Sequence, residues 1–187
     1  MKLSLSRPIQ VALLLTVLLL LGTAGTGFFL LRTLEASLPD LKQLADYRPF
    51  LTSRLLDRKG HLIGEFFEER RRLVPVQEIP RHVILAFVAG EDDSFFEHTG
   101  IDYLSVLRAA WVNLRAGGKI RQGGSTITQQ VAKSLLSSER SYLRKLKDML
   151  LARRIEQHFS KDEILYLYLN QIYFGHGAYG IGEAAHV

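Results

Sequence analysis

Three stretches of this chain carry side chains whose types and spacing could do chemistry. The first is Glu91-Asp92-Asp93. Val83, Ile84, Phe87, Val88 and Glu91 recur at helical spacing, so Glu91 continues an apolar stripe at a helix end. A carboxylate so placed loses hydration, which favours proton exchange near neutral pH and suits a general base. The plainer reading is a solvated, inert helix-terminal acid. The second stretch is Gly123-Gly124-Ser125-Thr126, a turn into a helix. Free backbone N–H groups there, with hydroxyls beside them, suit an anionic oxygen; the stretch lacks the Gly-Lys-Ser/Thr ending of a P-loop and reads equally as a plain N-cap. The third is basic: Arg140, Arg144 and Asp148 fall four apart on one helix face, with Lys145 and Lys147 alongside and Lys133 one helix earlier. Such a cluster can hold a diphosphate, Arg forking onto its oxygens and Lys acting as a point charge. Its alternative is a solvated face with one Arg144–Asp148 pair at i,i+4. His61, His82, His98, His158, His176 and His186 show no metal-ligand spacing, and His98 reads as a hydrogen-bonding structural residue.

These groups need a scaffold. The 187 residues are 47% hydrophobic and 23% charged, with a net charge of +5 and no Cys. That length gives one domain or two, recurrent Phe, Tyr, Leu, Ile and Val exclude disorder, and a disulfide staple is impossible. No charged residue stands between Arg7 and Arg32. As a helix, residues 8–31 reach roughly 36 Å, enough to cross a ~30 Å hydrocarbon core, so a purely cytosolic protein is excluded. Lys2 and Arg7 precede the run without an acid, whereas charges after it nearly balance, which keeps the N-terminus cytoplasmic and sends the rest outside. The competing reading is a cleaved signal peptide ending at Gly22-Thr23-Ala24-Gly25; Phe28, Phe29, Leu30 and Leu31 argue against it by extending the run to spanning length.

The organisation read from this is a tail at 1–7, a transmembrane helix at 8–31, a helical stalk and connector at 32–52, and a domain at 53–187. Within the domain, Arg58-Lys59-Gly60 between two apolar runs reads as a hairpin turn, and the charge run at 68–72 as a solvated strand end or loop. After Pro80 the pattern is helical. Leu104, Leu107, Trp111 and Leu114 mark an amphipathic helix over 102–114, Thr126 and Gln129 fit a capping box, and 141–159 carries Leu143, Leu146, Leu150 and Ile155 on one side. Ser160-Lys161-Asp162-Glu163 is a second capping box, opening a helix through Tyr173.

At these residues the chain resembles the peptidoglycan glycosyltransferase family, family 51, of class A penicillin-binding proteins and their monofunctional relatives. The family's motif Glu-Asp-x-x-Phe-x-x-His-x-Gly-x-Asp is matched by Glu91, Asp92, Phe95, His98, Gly100 and Asp102. Its second motif stands as Gly123-Gly124-Ser125-Thr126-Ile127-Thr128-Gln129-Gln130, with Lys133 following. The third appears as Arg144-Lys145-Leu146-Lys147-Asp148, and the fourth as Lys161, Ile164, Leu165, Tyr168, Leu169 and Asn170. The resemblance implies a mainly α, lysozyme-like helical domain with a small β-hairpin behind one N-terminal transmembrane helix. It implies polymerisation of lipid II onto a growing glycan on undecaprenyl diphosphate, with inversion at the donor anomeric carbon. Glu91 would be the general base. Lys133, Arg140, Arg144 and Lys145, with Arg108 a further candidate, would neutralise the diphosphate, and a divalent metal, Mg or Mn, would stand near Asp148. Ser125, Thr126, Gln129 and Gln130 would shape the cleft. Helix 104–114 would fall in a mobile lobe touching the membrane.

Two departures follow. Asp148 stands where the family has Glu, one methylene shorter, which bears on its reach to the leaving group or a metal. The chain stops before the family's fifth, Arg-containing motif, so a C-terminally incomplete domain from a bifunctional enzyme is expected, in the bacterial inner membrane and with other cell-wall synthesis or division proteins as partners. The rival enzyme is a membrane-anchored lysozyme-like hydrolase, which would leave the basic stripe unexplained. A nucleic-acid binder is a weak reading, because the 19 acids are interspersed among the 24 basic residues.

Overall fold

The computed structural model describes residues 7–45, 49–136 and 142–186, and divides into two compact units, residues 1–38 and 39–187. The first is one helix, α1 (Arg7–Ala36), long and apolar enough to cross a membrane. Its threonines do not spoil that character, because the hydroxyls of Thr16, Thr23 and Thr26 donate to carbonyls four residues back in the same helix. The helix continues past residue 31 into the segment expected to be the stalk.

In the second unit a short helix, α2 (Lys42–Ala45), precedes the hairpin of β1 (Ser53–Leu56) and β2 (Leu62–Phe66). Asp57 closes its turn by accepting from the Lys59 and His61 backbone N–H groups, and Gly60 takes the φ of +85° that the turn requires. Then come β3 (Arg70–Arg71), a 3-10 turn (Val76–Glu78), α3 (Arg81–Glu91), α4 (Tyr103–Arg115), α5 (Ile127–Leu135), α6 (Tyr142–Glu156) and α7 (Lys161–Gln171). The chain returns through β4 (Tyr173–Gly175) and β5 (Ala178–Tyr179) to α8 (Ile181–Ala184). β5 lies between β3, parallel to it, and β4, antiparallel.

The core lies where α5 packs on α6 and α7, with Ile127, Val131, Leu151, Ile155, Ile164, Leu165 and Leu169 all at 0–1% exposure. Asn170 belongs to it as well. Its side chain accepts from the Val74 N–H at 2.9 Å and donates to the Val74 carbonyl at 3.0 Å, so one buried amide replaces a strand partner for an extended segment 96 residues away in sequence. Close packing also requires Gly180, where a Cβ would lie 2.9 Å from the Asn170 carbonyl oxygen.

Three local expectations, on the face of α6, the end of α7 and the charge run at 68–72, are corrected. The buried face of α6 runs through Asp148, Leu151, Ala152 and Ile155, while Leu143 is exposed, so the apolar side is rotated from the one read and passes through a carboxylate. The stripe Leu104, Leu107, Trp111 and Leu114 on α4 faces outward, and only Ala109 of this helix is buried. Helix α7 ends at Gln171 because Tyr173 enters a strand. The charge run at 68–72 contains β3, where Arg71 is buried, bonded to Glu69 at 2.6 Å and stacked over Tyr179.

Candidate active site

The site begins where α3 stops. Asp92 is its C-cap and is buried, with its carboxylate accepting from His98 Nε2 at 2.9 Å and from the Ile127 backbone N–H at 3.0 Å. His98 Nδ1 accepts from the Gly100 N–H, and the Gly100 carbonyl accepts from the Thr126 hydroxyl at 2.7 Å. Because Nδ1 is an acceptor, the ring proton sits on Nε2 and points at Asp92. The first two motifs are thereby joined through two hydrogen bonds, and two more brace the first motif internally. His98 is the structural residue the sequence implied.

Three further residues set the first motif in place. Phe95 is fully buried, and the Lys161 ammonium lies 4.4 Å from its ring centre while donating to the His98 carbonyl and to Glu156. Gly100 has a φ of +91°, and a Cβ there would meet the Ala152 backbone at 2.8 Å, so the first motif rests directly on α6. Asp102 caps α4 by accepting from the Ser105 N–H. Hydrogen bonds from the Ser105 and Ser94 hydroxyls hold its carboxyl well below the usual carboxylate range.

Glu91, the last residue of α3, is exposed and accepts from Gln130 Nε2 at 2.9 Å. The loss of hydration expected from its apolar stripe is therefore absent, and Glu91 stands instead in a polar cleft. That cleft has a volume of about 350 Å³ and is lined by Glu91, Asp93, Arg108, Arg121 and residues 122–126, among others. Gly124 is needed there, since a Cβ would approach the Val106 Cα at 3.1 Å.

Helix α5 carries the link to the cations. Thr126 caps it through the Gln129 N–H, but the Gln129 side chain does not return to close the expected box. It accepts instead from Lys145 Nζ at 2.9 Å, which also donates to the Ser125 hydroxyl at 2.7 Å. The next residue, Gln130, holds Glu91. The Lys145 residue is exposed as a whole, yet desolvation at its ammonium lowers its pKa, and Lys133 and Arg144 push it the same way. Burial raises the pKa of Asp148, 3% exposed, against the opposing pull of Arg144, Lys145 and Lys133. Arg140 lies outside the described residues. Lys133 is exposed on the last turn of α5.

Among the described residues Asp148 Oδ1 is buried without a hydrogen-bond partner, the kind of atom a metal would satisfy. Its surroundings do not fit one. Among the described residues no three His, Asp or Glu side chains converge, and three cations already face the carboxylate. A hard divalent ion needs several oxygen ligands. The described donor set therefore supplies no metal site, and the charges of Arg144, Lys145 and Lys133 offset the buried Asp148 carboxylate. In the fourth motif Lys161 and Asn170 are structural by these contacts, whereas Tyr168 is buried, edge-on to Phe87, with a hydroxyl that has no partner among the described residues and a pKa raised by burial and by Glu91. Sequence reading passed over Arg121, Asn113 and Glu156; the last accepts from Thr128 and Lys161 at 2.6 and 2.7 Å and lies in no motif that would flag it.

A family model described as transglycosylase matches residues 59–187, spanning every group placed above. The chain belongs to the transglycosylase family. It is 53% identical over 81% of its length to penicillin-binding protein 1A of Aquifex aeolicus (strain VF5), and 46% identical over 94% to penicillin-binding protein 1A of Escherichia coli (strain K12). Penicillin-binding protein 1F of Bacillus subtilis (strain 168) is 47% identical over 72% of the chain. In each case the match covers about a fifth of the relative, 21%, 21% and 19%. Within this transglycosylase-family chain, the mainly α fold and the hairpin agree with the resemblance.

Proposed function

We propose that this chain carries the glycosyltransferase activity of a peptidoglycan synthase, polymerising lipid II with inversion and releasing undecaprenyl diphosphate. The observation that carries the reading is the division of labour along α5: Gln130 holds the exposed Glu91 carboxylate, and Gln129, one residue earlier, holds the Lys145 ammonium. A proton acceptor and a leaving-group cation are thus fixed on one short helix. Glu91 takes the proton of the acceptor sugar hydroxyl as its oxygen attacks the donor anomeric carbon. The bond from that carbon to the phosphate oxygen breaks, and its electron pair goes to the diphosphate. Lys145, Arg144 and Lys133 meet the charge that develops there, with Arg140 a further candidate beyond the described residues. Displacement from the face opposite the leaving group inverts the centre. A hydrolase cutting glycan has no diphosphate to neutralise, and these cations would then lack a task.

The helix α1 would tether the chain in the bacterial inner membrane, with its N-terminus in the cytoplasm, so that lipid-linked substrates reach the cleft from the bilayer. The test is polymer formation from labelled lipid II. Glu91→Gln in the full chain is expected to reduce it by about 100-fold or more. Fragments cut from preformed glycan, with no polymer from lipid II, would show the hydrolase instead.

A further inference from the structure

Asn113 stands on α4 and belongs to none of the four motifs. Its side-chain carbonyl accepts from the backbone N–H groups of Arg121 at 2.7 Å and Gln122 at 3.1 Å, and its amide donates to the Gln122 carbonyl at 3.0 Å. The loop it grips has little else to hold it. Gly117 and Gly118 precede it with φ of 70° and 82°, and among the described residues no backbone–backbone hydrogen bond involves 119–125. The gripped residue Arg121 lines the Glu91 cleft together with Arg108. Among the described residues neither guanidinium has a hydrogen bond or ion pair, so both are available to a ligand.

We propose that Asn113 is a positioning residue: it clamps the loop between α4 and α5 so that the Arg121 guanidinium stands in the Glu91 cleft as a contact for phosphate oxygens of the lipid-linked substrate. The inference rests on the function proposed above. A glycine-flanked loop left free would lose backbone entropy when it ordered around substrate. Three hydrogen bonds from one side chain, itself anchored on a helix, order Arg121 and Gln122 beforehand. Asn suits the task because its amide offers acceptor and donor together, matching a peptide unit edge-on.

The clamp and its effect on catalysis are read separately in the full chain. Hydrogen exchange tests the clamp without any activity: in Asn113→Ala the Arg121 and Gln122 amides are expected to exchange at least tenfold faster, with the α5–α7 amides unchanged. Unaltered exchange overturns the proposal, whatever the enzyme's substrate. Steady-state polymerisation tests the consequence. Asn113→Ala and Arg121→Ala are each expected to raise KM for lipid II about tenfold with kcat within about threefold, and the double variant is expected to be no worse than either single one. Asn113→Asp, which keeps both acceptor bonds, should recover most of the lost affinity. Additive losses, or a fall in kcat without a KM change, would mean that Asn113 does not act through Arg121. Wild-type chain that forms no polymer while the exchange pattern holds would refute the assigned substrate and leave the clamp standing.

Discussion

The two sides of the cleft are built in different ways. Behind it, α5, α6 and α7 bury Leu165, Leu169 and Ile155 completely, and even the charged Asp148 is 3% exposed. In front of it, α4 exposes Leu104 at 73%, Leu107 at 67% and Leu114 at 71%, and meets the protein through Ala109, its Asp102 cap, the backbone around Gly124 and the Asn113 clamp. Both sides are rich in leucine. What separates them is whether another helix covers the stripe. On the packed side Gln129, Gln130 and Lys145 are held by helix packing and hydrogen bonds, and on the bare side one side chain, Asn113, holds the loop that carries Arg121.

Substitutions can break or sharpen that contrast. Leu165→Ala removes a filled core position and is expected to cost about 3 kcal/mol in unfolding free energy by denaturant titration; a loss below 1 kcal/mol would mean the packed side is looser than described. Lys145→Ala should lower polymer synthesis about 100-fold, roughly 2.7 kcal/mol, if its ammonium meets charge in the transition state. Because desolvation depresses the Lys145 pKa, the wild-type activity should fall on the alkaline side before the ordinary lysine range, and Lys145→Arg should remove that limb. An unchanged pH profile in Lys145→Arg would assign the limb to another group.

At the junction of the two sides, Asp102→Ala should cost about 1 kcal/mol at neutral pH through loss of the α4 cap. The sign of its pH dependence follows from the lowered folded-state pKa: the stabilisation is present above the unfolded carboxylate value and disappears as pH falls through the folded one. The gap between wild type and variant should therefore narrow below about pH 4, and a gap that widens there would contradict the cap. The smallest effect belongs to Leu107→Ala, within about 0.5 kcal/mol despite the same change of residue type as at Leu165. A loss of several kcal/mol would reveal a hidden packing partner for α4.

Much of this was legible in the sequence where the signal is local. The Ser160–Glu163 capping box, the Gly60 turn and the helix ending at Glu91 rest on neighbours in the chain, and each is where spacing puts it. Periodicity misled where a polar group occupies a core position: Asp148 on the buried face of α6 displaced the stripe, and its cationic neighbours make the burial tolerable. On α4 the pattern held, but an amphipathic pattern records that one face is apolar and not that anything within the chain covers it. The β3–β5 pairing was invisible, since each strand has two residues and the partners are more than a hundred positions apart. The motif residues were found by resemblance, and their contacts sort them further: Asp92, Gly100 and Lys161 join elements, whereas Glu91 lines the cleft and Lys145 is bound to Ser125 and Gln129.

Gly100 carries one more consequence. With no side chain between the first motif and the Ala152 backbone, main chain lies against main chain. Any residue with a Cβ would push the two apart, so the seating of the first motif on α6 depends on a missing carbon atom.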